Sequence, residues 1–283
     1  IWTAGAGLQV DAGNGGTWRA NIFYEDMQIE DYSTRIIGDR EDEAVRGFLA
    51  QPATTTGAGL VWSIILAQNH RVTAGADYRW ADVLIDNFGR YLDGLPRELK
   101  STGASQDMGG VFIQDTWQVS ERWQLNGSIR YDHVSNRGDA REIDLTTGNV
   151  LESQDYEPNS EHTTNPSAGV RYQWNDSLSL RAAAYKGFRA ATLRELYREG
   201  RTPAGVILAN NPLLAPERLV GFEGGFDWNI TDRALLRATV FQNTVEDLIQ
   251  NITRGQAVDE PVYVEPCGLL EPGETCRELE NVG

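Results

Sequence analysis

The chain has 283 residues, 40% of them hydrophobic, a mean hydropathy of -0.43 and a formal net charge of -16. No run approaches the ~18 apolar residues that a membrane-spanning helix requires, so helical spanning is excluded. The acidic balance argues against nucleic acid, which is met by basic patches. A transmembrane barrel escapes the hydropathy test, because only alternate residues of each strand face lipid. The excess acid is localised: segments 28–56, 136–163 and 251–283 carry -3, -5 and -5. These read as solvated loops, with recruitment of cations as the sharper alternative.

Period-2 alternation of apolar and polar side chains lays out ten strands near 2–10, 17–27, 57–67, 71–85, 108–118, 123–134, 166–174, 178–188, 218–229 and 233–249. One face carries Trp123, Leu125, Ile129 and Tyr131; Ala168, Val170, Tyr172 and Trp174; and Phe222, Phe226 and Trp228. The pattern predicts that these point outward, with Arg130, Arg171 and Glu223 inside. Short turns, at 11–16, 68–70, 120–122, 175–177 and 229–232, alternate with long loops at about 28–56, 86–107, 135–165, 189–217 and 250–279. Bacterial outer-membrane barrels share this asymmetry, whereas loops beyond ~12–15 residues are uncommon in compact soluble domains. Trp117, Trp123, Trp174 and Trp228 all sit beside short turns, as an interfacial girdle requires. Asp115 is anomalous, falling on the same face as Val111, Ile113 and Trp117.

From Gly187 to Tyr197 the chain reads GFRAATLRELY, and from Asn211 to Trp228 it reads NPLLAPERLVGFEGGFDW. Together with QDTW at 114–117 and the closing ENVG, these resemble the late-barrel signature of TonB-dependent outer-membrane receptors. One departure is Ala191, where that family usually carries proline. The resemblance implies an all-β fold: part of a transmembrane antiparallel up-and-down β-barrel, about ten strands of a 22-stranded whole. It also implies a plug domain, a TonB-contacting segment and closing strands outside residues 1–283. The reading at both ends agrees, since Ile1 opens directly in a strand pattern with no signal peptide and Gly283 falls where a further strand begins. The implied function is energy-coupled uptake of a scarce solute, usually a ferric siderophore and sometimes a cobalamin, haem or glycan. Implied partners are outer-membrane lipid and lipopolysaccharide, small-molecule cargo and TonB, with no cofactor and no nucleic acid. The alternatives are a passive porin or adhesin barrel and a soluble all-β carbohydrate-binding domain.

The resemblance assigns structural importance to Gly187, Phe188, Arg189, Leu193, Tyr197, Pro212, Pro216 and Glu217. The residues themselves mark Arg189, Arg194, Arg198 and Arg201 as candidate contacts for an anionic ligand, because guanidinium groups suit bidentate capture. A charge-laced loop packed on the rim is the competing reading. The spacing allows a short helix with Glu195 and Arg198 paired at i,i+3. Cys267 and Cys276 flank a Pro–Gly centre in CGLLEPGETC, a spacing that suits a disulfide-closed hairpin, an oxidising compartment and ~2–3 kcal/mol of loop-closure stabilisation. Two free thiols are the alternative. His70, His133 and His162 are not spaced as metal ligands, and no catalytic motif is found, so neither a metal site nor an enzyme is expected.

Overall fold

The computed structural model describes all residues except Asn14, 38–41 and Pro203, together with the side chain of Ile37. Asn14 of the first expected turn, the tip of the expected 28–56 loop, and Pro203 of the expected 189–217 loop therefore lie outside the described residues. In chain order the elements are β1 Trp2–Ala12, β2 Gly16–Ile37, β3 Asp42–Leu66, β4 His70–Gly89, β5 Glu98–Gln118 and β6 Trp123–Asp144. Then come β7 Val150–Asp155, β8 Asn159–Gln173, β9 Leu178–Arg189, α1 Leu193–Tyr197, β10 Gly200–Arg201 and β11 Val206–Ala209. The last are β12 Glu217–Thr231, β13 Ala234–Glu246, β14 Leu248–Gln256, β15 Val262–Val264, β16 Gly268–Leu270 and β17 Thr275–Val282.

One antiparallel sheet runs β1-β2-β3-β4-β5-β6-β8-β9-β12-β13, with β7 branching from β6. Neighbours in sequence are neighbours in space, the up-and-down topology that short turns impose. The sheet does not close on itself, and β1 and β13 form its two edges. A second sheet, β10-β11-β17-β14, and the hairpin β15-β16 stand at the long-connection end.

The strand faces follow the alternation. Trp123, Leu125, Ile129 and Tyr131 on β6, Val111 and Ile113 on β5, and Phe222 and Trp228 on β12 are all substantially exposed. Among the described residues no second sheet covers them, which disposes of a sandwich. The opposite face of β6 carries Arg130, whose guanidinium bridges Asp77 on β4 (2.7 and 2.9 Å) and Asp132 (2.7 Å). Arg171 and Glu223 share this inner face through the register of β8 and β12. The outward band on β6 spans the nine residues from Trp123 to Tyr131, eight steps or about 26 Å along the strand at ~3.3 Å per residue. That matches an apolar band ~25 Å tall between two aromatic girdles, once strand tilt is allowed for. Tyr24 and Tyr78 stand with Tyr131 at the upper border.

The long loops at 28–56, 86–107 and 135–165 are corrected by the structure, which continues the strands through most of them. β2 and β3 stay paired from Thr17↔Ser63 to Ile37↔Asp42. β5 and β6 pair as far as Glu98↔Asp144. Above the apolar band the outer face is polar, as in the run Asp26, Gln28, Glu30 on β2, while the inner face mixes Leu49, Val83, Ile85 and Ala104 with polar residues such as Gln51, Thr102 and Gln106. The hydrophobic contrast that reveals a strand disappears while the backbone ladder goes on. The expected strand at 233–249 is also corrected. It breaks at Asp247, whose φ of 55° turns the chain out of the barrel sheet and into β14.

Asp115 is accounted for by a partner remote in sequence. Its Oδ2 lies 2.6 Å from His70 Nδ1, and the His70 ring stacks on Trp117 at 5.2 Å.

Candidate functional site: the segment folded over the inner face

The connection from β9 to β12 does not hang free. It begins with a single helical turn whose start is dictated locally. Thr192 accepts from the backbone N–H of Glu195 (3.2 Å), and the Glu195 carboxylate accepts from the Thr192 backbone N–H (2.8 Å). This reciprocal cap satisfies two donors that a helix end leaves open. The T-x-x-E spacing that announces it is present in the sequence and was a signal available there. The helix ends at Arg198, which caps it in an extended conformation. Glu195 turns back to Arg189, so the expected Glu195–Arg198 pair does not form; the helix stops before the two side chains share a face.

Leu193, Leu196 and Tyr197 point into a cluster with Leu49 of β3, Val83 and Ile85 of β4, Ala104 of β5, Ala191 and Leu214. Leu196 and Tyr197 are fully buried. The main apolar core thus lies between this segment and the inner wall. Gly138 makes room for the Tyr197 ring: a Cβ there would fall 2.7 Å from ring carbon Cδ1. Gln106, buried on β5, donates through its amide to Asn136 Oδ1 (2.8 Å) and to the Ala191 carbonyl (3.0 Å). Further along, Asn159 donates to the Pro212 carbonyl (3.2 Å) and Pro216 is buried. Asn281 donates to the carbonyls of Ala215 (2.9 Å) and Asp247 (2.7 Å). Gln106, Asn136, Asn159 and Asn281 carried no sequence signal, because their partners lie 34 to 85 residues away or, for the Gln106–Asn136 pair, 30.

The four candidate arginines divide sharply. Arg189 donates to both oxygens of Glu217 (2.7 and 2.8 Å) and to both of Glu195 (2.9 and 3.2 Å). Glu217 also accepts from the Ile249 backbone N–H at 2.9 Å, so one guanidinium ties β9, α1, β12 and β14 together. The Arg189 hydrogen bonds hold the Glu217 carboxyl far below its ordinary value, at about 2. Burial pushes Glu195 upward, but bonds from Arg189 and Thr192 outweigh it, and the net shift is down. Arg201 is ion-paired with Glu274. Arg198 is half-buried, and its Nε is buried with no hydrogen-bond partner. Burial, and then the charge of nearby Arg194, lower its pKa, with only Asp31 of β2 opposing. Arg194 is exposed. Arg194 and Arg198 therefore present positive charge without a bonded carboxylate among the described residues, whereas Arg189 and Arg201 are spoken for.

Of the remaining motif residues, Gly187 has open space at its Cβ position, Phe188 lies on the outer face, and Leu193 and Tyr197 are core. Cys267 and Cys276 are joined in a disulfide, with Cα atoms 5.8 Å apart. It links the end of the β15 turn to β17, and Cys276 is fully buried beside Ala257 and Leu270. Among the described residues no group of three or more His, Cys, Asp and Glu side chains is arranged to hold a metal ion.

A family model described as TonB dependent receptor-like, beta-barrel matches residues 1–271. Among solved structures, the Serratia marcescens hemophore receptor HasR, in complex with HasA and heme, superposes with a TM-score of 0.70 at 16% identity. That match covers 99% of this chain and 43% of HasR. The copper transporter OprC matches with a TM-score of 0.69 at 16% identity, over 99% of this chain and 42% of OprC. The ferric yersiniabactin receptor FyuA from Yersinia pestis gives 0.64 at 12% identity, over 87% of this chain and 36% of FyuA. The chain spans less than half the length of each. Members of the family are outer-membrane transporters rather than enzymes. With the outward apolar band, the up-and-down sheet and the match over residues 1–271, this chain belongs to the TonB-dependent receptor β-barrel family.

Proposed function

We propose that this chain forms part of the barrel wall of an outer-membrane receptor that takes up a ferric siderophore by energy coupling through TonB. Further strands close the barrel, and a plug and a TonB-contacting segment lie elsewhere in the same polypeptide. The outward band meets membrane lipid, and the polar strand extensions above it meet lipopolysaccharide.

The observation that carries the cargo reading is the pair Arg194 and Arg198. Burial, and then the charge of nearby Arg194, disfavour the charged form of Arg198, and its buried Nε has no hydrogen-bond partner. An anionic chelate reaching the inner face would relieve both costs. FyuA is a ferric yersiniabactin uptake receptor and Fiu a ferric-catecholate import receptor, HasR was solved with heme, and OprC is a copper transporter, so most of these neighbours handle iron-bearing cargo without selecting a chelator.

The test is affinity of full-length receptor, shown to be folded by heat-modifiable migration, for a panel of ferric siderophores. Arg194→Ala with Arg198→Ala should weaken binding by about 1.5–3 kcal/mol for each desolvated charge-assisted bond lost. Arg189→Ala should act on assembly of the segment and not on intrinsic affinity. Unchanged affinity in the double variant would make the pair rim packing. Uptake that persists after the energy source is dissipated would replace the receptor with a passive pore.

A further inference from the structure

His133 on β6 and His162 on β8 are directly opposed. They are two of the chain's three histidines, and the third, His70, is bonded to Asp115. Both lie on the outward face, two positions beyond Tyr131 and just above the apolar band. The buried inner neighbour Asp132 fixes that orientation. Their rings overlap with centroids 4.5 Å apart, and the two Nδ1 atoms are separated by 3.2 Å. The Tyr131 hydroxyl stands 2.8 Å from the same His162 Nδ1.

Hydrogen bonding alone serves this arrangement poorly. A ring nitrogen offers either one hydrogen or one lone pair, so His162 Nδ1 cannot accept well from both His133 and Tyr131. A cation that accepts a lone pair from each nitrogen removes the conflict. With metal–nitrogen bonds of about 2.0–2.1 Å, a 3.2 Å separation corresponds to a ligand–metal–ligand angle of about 100°. That is within the range of a tetrahedral or tetragonal centre; the stacked rings lie 26° from parallel, so binding requires the exposed rings to rotate until their in-plane lone pairs converge. Imidazole selects zinc, copper and nickel over magnesium and calcium.

We infer that His133 and His162, with Tyr131 as a third donor and water completing the shell, form a surface site for a divalent transition ion such as Cu²⁺, Ni²⁺ or Zn²⁺. The ion clamps β6 to β8 three residue pairs below the point, Asn136↔Asn159, where the two strands part and β6 goes on to pair with β7. The site steadies the root of that branched hairpin. It is on the opposite face of the sheet from Arg194 and Arg198, so it stands or falls independently of the cargo reading.

The experiment uses full-length receptor in detergent, stripped with chelator and titrated with Cu²⁺, Ni²⁺ or Zn²⁺ alone. The Cu²⁺ form should show electron paramagnetic resonance coupling to two imidazole nitrogens. His133→Ala and His162→Ala should each weaken this site about tenfold or more, as loss of a direct ligand must exceed the loss of a supporting one. His133→Gln with His162→Gln keeps bulk and polarity and guards against misfolding, which heat-modifiable migration checks; His70→Ala should leave binding intact. Identical titrations and spectra for wild type and the double Gln variant would overturn the proposal. So would a two-nitrogen signal lost only in His70→Ala.

Discussion

The lower and upper halves of the wall are built from the same strands and obey different rules. In the lower half, β5 and β6 put Val111, Ile113, Ile129 and Tyr131 outward and exposed, while the inner face carries ion pairs such as Arg130 with Asp77 and Asp132. In the upper half the polarity inverts. The outer face is polar, and the inner face holds the apolar cluster of Leu49, Val83, Ile85 and Ala104 under Leu196 and Tyr197. The solvent on each side sets this. On the proposed outer-membrane placement, apolar residues face out where lipid lies outside and turn in against a folded segment where water does. Among the described residues of this wall, the buried apolar cluster lies in the upper half.

That contrast can be broken from either side. The largest effect should come from Leu196→Ala, which empties a fully enclosed position and should cost about 2–5 kcal/mol of docking of the 189–217 segment. Limited proteolysis of folded receptor should then nick that segment faster, with the barrel itself intact. An unchanged nicking rate would mean that the cluster does not hold the segment down. Next is Ile113→Lys, near the middle of the outward band, which should cost about 2–4 kcal/mol in a lipid bilayer. Gln28→Lys, outward on β2 but above the band, should cost almost nothing. Equal costs measured by denaturant unfolding in vesicles would mean the band is misplaced.

Thr192→Ala removes the cap on α1 and should cost about 1 kcal/mol. Hydrogen exchange of the Glu195 and Leu196 amides would register it as increased opening. The smallest effect concerns pH. Glu195 and Glu217 are both lowered in the folded state, Glu217 to about 2. A lowered carboxylate contributes stability that is fully present above its unfolded value, about 4.3. That contribution is lost as pH falls toward the folded value. Docking of the segment should therefore be flat from pH 7 to about 5 and weaken steadily below about 4. In Arg189→Ala the acid-side loss should shrink, and a loss of the same size would remove Arg189 as its cause.

Much of the lower wall was legible in the sequence. Ten alternating stretches, five short turns and four tryptophans beside those turns correspond to the main path of the sheet, because an exposed apolar face opposite a polar one imposes a strict two-residue period. The extensions of β2 to β6 were not legible. There the outer face is polar and the inner face mixes apolar residues with buried Gln51, Thr102 and Gln106, so periodicity no longer distinguishes a paired strand from a loop. The sequence also singled out residues 189–201 as a unit, and its T-x-x-E cap is local chemistry that any reader of the chain can find.

What the sequence determined alone is the period, the turn asymmetry and the residue types available for charge and capping. These are properties of neighbours along the chain. Which arginine is free was decided only in three dimensions. Arg189 is neutralised by Glu217 across 28 residues and Arg201 by Glu274 across 73, while Arg194 and Arg198 bond to no carboxylate among the described residues. The same holds for the opposed pair His133 and His162, 29 residues apart, and for Asp115 with His70 across 45. Strand register brings these groups together, and register is set by the whole ladder and its turns rather than by any residue's own neighbours.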